Sequence, residues 1–215
     1  RAVTMFSLFA ISKGLKRTTN PLNTLAISAF ILLLIRPGFC FDVGFQLSYA
    51  AVASIVIVKP IFDTWWSFKN RITNWVLDLL KVSIAVQIGV LPLSLFYFHQ
   101  FPGLFFVTNL IIIPCLILVL GLGILALVLM LIDKLPEFLV EILGKLIQFM
   151  NEFVAWVASK ESLLFDQISF DFKALVLSYL ILFFGYLFYH KKSFKNLMIL
   201  GIAVLSFQLF ARQLP

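Results

Sequence analysis

The sequence has 215 residues, of which 62% are hydrophobic and 13% are charged, and its formal net charge is +7. A soluble domain carries about 25% charged residues, so this composition excludes an ordinary soluble protein. Several apolar runs reach the roughly 18 residues that identify a membrane-spanning helix. The predicted fold class is therefore all-α, a polytopic transmembrane helix bundle with an amphipathic interfacial helix. Because the chain starts on Arg1 without an initiator Met, we expect residues to precede it.

The first two helices are predicted on either side of a basic turn. Residues 2–12 are apolar, and residues 13–17 contain three basic side chains. The second helix is predicted over residues 22–35, because a Pro-Gly pair follows Arg36 and both residues interrupt helices.

The third helix opens on a polar motif, DVGFQLSY at residues 42–49. Gln46 and Tyr49 lie in its first turns, where each unsatisfied polar group in lipid costs several kcal/mol. The helix is therefore predicted to be buried in the bundle or to border a wet cavity. Gln46 either bonds a neighbouring helix or lines a path, and both alternatives stay open here.

An interfacial stretch is predicted between the third and fourth helices. The third helix is expected to end at Lys59 and Pro60, where a breaker follows a charge. Residues 61–71 carry two tryptophans and basic side chains, a mixture that favours the membrane interface. The fourth helix is predicted to start near Asn74.

The fourth helix carries a polar stripe. Ser83, Gln87 and Ser94 fall within about 40° of one another on a helical projection. Ser94 can bond its own helix, whereas the Gln87 amide cannot be satisfied by its own backbone alone. Asp78 and Lys81, three residues apart, precede the stripe, and Pro92 is predicted to break or kink the helix.

Residues 101–132 form the longest apolar run. As one straight helix, its 32 residues would measure roughly 48 Å, against a hydrocarbon core of ~30 Å. Thr108, Asn109 and Pro114 lie in its first half. We therefore expect a broken or re-entrant segment that enters a protein-lined cavity.

Residues 133–160 combine an apolar helical face with an opposite face of charged and polar side chains. The charged face excludes a spanning role and predicts a helix lying flat on the membrane surface. Two more spanning helices are predicted over residues 172–189 and 194–211, joined by a basic turn. The predicted organisation is a transmembrane core with the broken segment at 1–132, an amphipathic helix and connection at 133–171, and a transmembrane hairpin at 172–215.

The sequence contains no recognisable arrangement of catalytic residues. His99 and His190 have no acid at the spacing of a catalytic triad or a metal site. Cys40 and Cys115 are too few for a disulfide framework and are interpreted as packing residues. No phosphate-binding loop occurs. We therefore expect no enzyme activity, no cofactor and no bound metal.

The candidate functional residues are therefore the uncharged polar side chains inside the predicted spans and a few basic residues near helix ends. The first group is predicted to line a passage: Gln46, Tyr49, Ser83, Gln87, Thr108 and Asn109. Arg36 and Lys81 are the basic residues, and Pro92 and Pro114 are the predicted helix breaks. This set of residues favours a protein that lets a solute pass through the membrane.

Several short phrases resemble one known family in their order and spacing. They are Arg1-Ala2 with Met5, NTLA at residues 23–26, Pro37, DVGFQLSYAAV at residues 42–52, Gln87 with LPL at residues 91–93, FHQF at residues 98–101, Asn109 with Leu110, and Pro114. Over residues 1 to about 130 the chain resembles the competence domain of the ComEC-type DNA-uptake proteins. The resemblance implies a multi-pass channel in the bacterial inner membrane through which one strand of transforming DNA enters the cytoplasm. Members of this family often add a soluble oligonucleotide-binding-like domain and a metallo-β-lactamase-like domain.

The implied partners are single-stranded DNA, the lipid bilayer, soluble domains of a full-length protein and other DNA-uptake machinery. Assembly into a homo-oligomer is an open alternative. A strand with one negative charge per nucleotide needs a wet conduit, and Arg36 and Lys81 are the expected attractors of its backbone. The alternative is a polytopic transporter or channel for a small anion or a lipid-linked solute. A third hypothesis is a scaffold whose polar residues only fasten helices.

Overall fold

The described part of the chain folds almost entirely into helices. The computed structural model describes residues 20–65, 70–160, 164–165 and 168–211, together with Ser7 and Ala10. Within these residues there are seven α-helices, one 3₁₀ helix and two short strands, which confirms the all-α fold class. Apart from Ser7 and Ala10, the predicted first helix and the basic turn at residues 13–17 lie outside the described residues.

The helices follow one another with short connections. In chain order they are α1 (Pro21–Ile35), the 3₁₀ helix (Pro37–Phe41), α2 (Val43–Trp65), α3 (Arg71–Phe98), α4 (Phe105–Leu131), α5 (Glu137–Ala158), α6 (Phe172–His190) and α7 (Phe194–Ala211). Two-residue strands, β1 (Phe101–Pro102) and β2 (Leu164–Phe165), pair in a small sheet.

Among the residues that the structure describes, four helices are long and apolar enough to cross a membrane: α2, the Thr73–Phe98 part of α3, α4 and α6. Two further apolar helices, Pro21–Ile35 and Phe194–Leu209, are shorter than a full span. These six match the helices predicted after residue 20 that were assigned to the membrane. The number of helices therefore follows from the apolar runs.

Prolines do not interrupt the helices where the sequence predicted that they would. Pro60 lies inside α2, Pro92 inside α3 and Pro114 inside α4, and each helix continues on both sides. A proline removes one helical donor, and a membrane helix tolerates that loss where neighbouring groups satisfy the freed carbonyl. The structure thus corrects the predicted end at Pro60 and the predicted breaks at Pro92 and Pro114, whereas the kink predicted at Pro92 stays a prediction.

The helix within the long apolar run is shorter than the run itself. Phe101–Pro102 is strand, and α4 has 27 residues from Phe105 to Leu131. A 27-residue helix measures roughly 40 Å and fits one crossing when it tilts or kinks. One continuous helix therefore replaces the predicted broken segment.

The helices group into two compact units, here called unit 1 and unit 2. Unit 1 comprises Arg1–Ser67, Ile84–Phe101 and Asp166–Pro215, and unit 2 comprises Phe68–Ser83 and Pro102–Phe165. Unit 1 thus contains α6 and α7 together with α1 and α2, whereas α4 and α5 lie in unit 2. The predicted divisions at residues 132 and 171 stay a prediction.

Unit 1 has a small core where α3 meets the start of α6. Leu93 on α3 is buried together with Phe170, Ala174 and Leu175. Partly buried side chains, among them Tyr97, pack against this cluster. The same unit holds α7, which packs along α6.

Unit 2 contains the predicted amphipathic helix. The helix α5 packs on α4, and its polar face carries an ion pair of 2.7 Å between Lys145 and Glu141. On the other face, Leu139 is buried, with 4% of its surface exposed. The helix itself is confirmed, and its placement on the membrane surface stays a prediction.

That placement predicts a labelling pattern. We expect single cysteines in Glu141→Cys and Lys145→Cys variants to react with a membrane-impermeant thiol reagent, because a charged face cannot lie in lipid. A Leu139→Cys variant is the matched control and should stay unmodified. Protection of both charged-face positions from reagent on either side of the membrane would contradict the surface location.

Candidate functional site

The motif at residues 42–49 is built around the start of α2. The Asp42 carboxylate Oδ1 accepts a hydrogen bond of 3.1 Å from the Phe45 backbone N–H. A carboxylate at this position satisfies one of the free N–H groups at the helix start. The Phe45 side chain is buried, and its ring centroid lies 4.4 Å from that of Tyr49. The motif therefore starts the helix and anchors its first turns.

Both ends of the Gln46 amide are hydrogen-bonded. Its Nε2 donates to the Cys40 carbonyl in the 3₁₀ helix, and its Oε1 accepts from the Tyr97 hydroxyl on α3, each at 2.8 Å. Gln46 bonds Tyr97 and not Gln87, which lies ten residues earlier on α3, about 15 Å along the helix axis. Gln46 thus joins the 3₁₀ helix, α2 and α3.

This arrangement predicts the effect of removing the amide. Gln46→Leu should lower the free energy of unfolding by about 1 kcal/mol, because two hydrogen bonds that average about 0.6 kcal/mol each in membranes are lost. Unfolding in detergent measures the change. Tyr97→Phe is the control, since a double-mutant cycle should show that the two variants share one bond. Strict additivity of the two changes would show that this bond contributes nothing.

The other hydroxyls of the motif are also bonded. The Tyr49 hydroxyl shares a hydrogen bond of 3.0 Å with Ser28 on α1, and the Ser28 hydroxyl donates to the Leu25 carbonyl at 2.7 Å. Ser28 is fully buried. Ser48 donates to the Gly44 carbonyl of its own helix at 2.6 Å. Tyr49 therefore fastens α2 to α1.

One close contact holds α2 against α3. Ser54 on α2 donates a hydrogen bond of 2.5 Å to the Ala85 carbonyl on α3. A Cβ atom at Gly89 would lie 2.7 Å from the Ser54 hydroxyl oxygen and 3.0 Å from the Ala50 carbonyl oxygen. From α6, the Tyr179 hydroxyl donates to the Gly89 carbonyl at 2.8 Å. Only glycine allows the backbones to approach this closely.

Gln87 differs from Gln46 in its surroundings. It is half-buried and lies near the middle of the Thr73–Phe98 span. Within the described part of the chain, its amide makes no hydrogen bond. An amide without a partner in hydrocarbon costs several kcal/mol. Gln87 therefore needs water or another polar occupant beside it.

The remaining predicted lining residues belong to unit 2. Ser83 is buried, with 4% of its surface exposed. The Thr108 hydroxyl donates to the Leu104 carbonyl of its own segment at 3.0 Å. Asn109 is half-buried, and its amide makes no hydrogen bond to any residue that the structure describes. Asn109 is thus the counterpart of Gln87 in this unit.

The two predicted basic residues have unequal exposure. Arg36 is exposed, and its guanidinium carbon lies 5.6 Å from the centroid of the Phe39 ring. Lys81 is only 5% exposed, and its ammonium nitrogen lies 3.5 Å from the Asp78 carboxylate. Arg36 belongs to unit 1 and Lys81 to unit 2.

Sequence reasoning missed the partners of the predicted residues. Four residues bond across helices: Tyr97, Tyr179, Ser28 and Ser54. Gly89 permits a close approach of α2 to α3. Serine and glycine near the middle of apolar runs were an available signal, because small residues mark helix contacts in membranes. In the described residues, no group of three or more His, Cys, Asp or Glu could hold a metal ion.

The helices and their fastening residues define a multi-pass helical membrane protein with polar groups inside its spans. The family model named Competence protein matches residues 1–192, and the chain belongs to this family. The chain is also 29% identical over 114 residues to ComE operon protein 3 of Bacillus subtilis (strain 168). That match covers 53% of this chain and 14% of the relative, so the chain spans a small part of that protein's length. No solved structure matches the chain. Family membership places the chain among membrane domains implicated in DNA uptake.

Proposed function

We propose that the chain forms the channel domain through which one strand of transforming DNA crosses the bacterial inner membrane. The channel role is supported by the Gln87 amide, which lies in the middle of a span and makes no hydrogen bond to the described residues. The assignment to DNA is supported by membership of the Competence protein family.

The chemistry of Gln87 suits a strand of any sequence. An amide both donates and accepts hydrogen bonds, so it can exchange water for the edge of each passing base. A nucleic acid backbone cannot enter hydrocarbon, and a path for it therefore needs such groups at mid-span. Asn109 provides the same chemistry in unit 2, and we propose that it borders the same kind of wet path.

In this proposal the main role of Gln46 and Tyr49 is structural. Their polar groups bond Cys40, Tyr97 and Ser28, so they position α2 against its neighbours. Any contact that they make with DNA comes in addition to those bonds. The motif then matters for transport because it sets the geometry of the helices around the path.

Attraction of the strand is assigned mainly to Arg36. Its guanidinium is exposed, and an exposed cation interacts with phosphates over a distance of about 8–10 Å at physiological salt. Lys81 is buried beside Asp78, which offsets much of its charge. We propose passage of the strand and no bond cleavage by this chain.

The proposal is tested in liposomes that contain the purified chain. Single-stranded DNA with a fluorescent end label should become protected from external nuclease, whereas double-stranded DNA of the same length should stay exposed. Liposomes without protein are the control. Entry of a small anion without entry of DNA would replace this proposal with the transporter alternative. Full-length ComE operon protein 3 of Bacillus subtilis should be assayed in parallel, because the match covers only 14% of that relative.

A further inference from the structure

Unit 1 contains an apolar cavity of about 670 Å³ between α2, α3, α6 and α7. Its walls are aliphatic side chains from all four helices, with Gly185 on α6 open towards it. The lining residues on α2 run from Ala50 to Ile61, which corresponds to about 16 Å along the helix. The cavity is therefore elongated parallel to the spans.

Most of the few polar groups in the cavity walls already make hydrogen bonds within the protein. The Ser54 hydroxyl donates to the Ala85 carbonyl, and the Tyr179 hydroxyl donates to the Gly89 carbonyl. Tyr186 also lines the cavity, and its hydroxyl makes no hydrogen bond to a described residue. An occupant must therefore be apolar along its length, with one polar group near Tyr186.

Basic residues lie just beyond the end of the cavity that Tyr186 marks. The ring of His190 is 4.5 Å from that of Tyr186, and Lys191 and Lys192 follow at the end of α6. Both lysines are exposed. A basic group at the end of an apolar cavity between membrane helices matches the headgroup and tail of an anionic lipid.

The size of the cavity suits one lipid tail. A volume of 670 Å³ lies within the range of about 300–1,000 Å³ for small-molecule sites. The exposed ammonium groups of Lys191 and Lys192 favour an occupant whose polar end carries a negative charge, as a phospholipid headgroup does.

We propose that this cavity holds an acyl chain of one anionic phospholipid, with the lipid phosphate beside Lys191 and Lys192 and a lipid ester carbonyl bonded to the Tyr186 hydroxyl. The bound chain would fill the space between α2 and α6. The lipid would then be a structural part of unit 1. This inference is independent of whether the protein conducts DNA.

Native mass spectrometry of the detergent-purified protein, with phosphatidylglycerol or phosphatidylcholine added, tests the proposal. We expect one phosphatidylglycerol to be retained, with a preference over phosphatidylcholine of about fivefold for each of the two lysines. Lys191→Gln combined with Lys192→Gln should equalise the two lipids. Both side chains are exposed, so this variant tests the headgroup without disturbing the core.

Gly185→Leu tests the tail. A Cβ atom at Gly185 meets no atom within 4 Å, so leucine can extend into the cavity and should abolish retention of either lipid. Gly201→Leu is the matched control, because Gly201 also has open space around it but does not line the cavity. Equal retention of both lipids by the natural sequence, or unchanged retention in Gly185→Leu, would overturn the proposal. Cross-linking of a protein segment into the cavity would overturn it as well.

Discussion

Gln87→Leu is expected to reduce transport of single-stranded DNA by up to about tenfold while leaving the protein as stable as before. A lost hydrogen bond to water or to a base raises a barrier by about 0.5–1.5 kcal/mol, and 1.4 kcal/mol corresponds to a factor of ten. Stability should not fall, because the amide has no hydrogen bond to the described residues that the leucine would remove. Nuclease-protected DNA in liposomes, divided by the amount of folded protein, measures the effect.

The control is the same substitution elsewhere in an apolar helix. Gln208 lies on the exposed surface of α7 and outside the proposed path, so Gln208→Leu should leave transport unchanged. Transport per folded molecule that is unaffected by Gln87→Leu would remove Gln87 from the path. A loss of stability in that variant would show instead that the amide fastens helices.

Gly89→Leu is expected to lower the free energy of unfolding by about 3 kcal/mol, the upper end of the range for overpacked sites. Its Cβ atom would approach the Ser54 hydroxyl and the Ala50 carbonyl, which is a backbone atom and cannot rotate away. Separation of α2 from α3 would also break the bond from Ser54 to Ala85. Thermal or denaturant unfolding in detergent measures the change.

Gly121→Leu is the matched control for this substitution. Gly121 lies in a span, on α4, and a Cβ atom there would meet nothing within 4 Å. Its replacement should change stability little. If both variants are equally stable, the close approach at Gly89 does not hold α2 and α3 together. A smaller loss in Gly89→Ala than in Gly89→Leu would show that the clash grows with side-chain size.

The positions of the helices could largely be predicted because each depends on local sequence. The second helix was expected over residues 22–35 and is observed as Pro21–Ile35, and the last two start where they were predicted to start. The amphipathic segment likewise forms a helix, α5, within the predicted residues. Apolar runs and periodic charges determine such elements without reference to the rest of the chain.

Helix ends near prolines could not be predicted in the same way. The sequence indicated an end at Pro60 and breaks at Pro92 and Pro114, yet all three prolines lie inside helices. Whether a helix survives a proline depends on what surrounds the freed carbonyl. Pro92 frees the Ile88 carbonyl, and beside it the Tyr179 hydroxyl from α6 bonds the Gly89 carbonyl, a contact between helices that the sequence does not indicate.

The amino-acid sequence alone was enough to predict a multi-pass helical membrane protein, the polar residues inside its spans and the family that it resembles. The contacts of those polar residues became known only from the packing of the helices. Gln46 and Gln87 have the same chemistry, but Gln46 bonds Cys40 and Tyr97 whereas Gln87 bonds no described residue. The reason is that a hydrogen bond between helices depends on their approach over a few ångströms. That approach is set by small residues such as Gly89, far along the chain from Gln46.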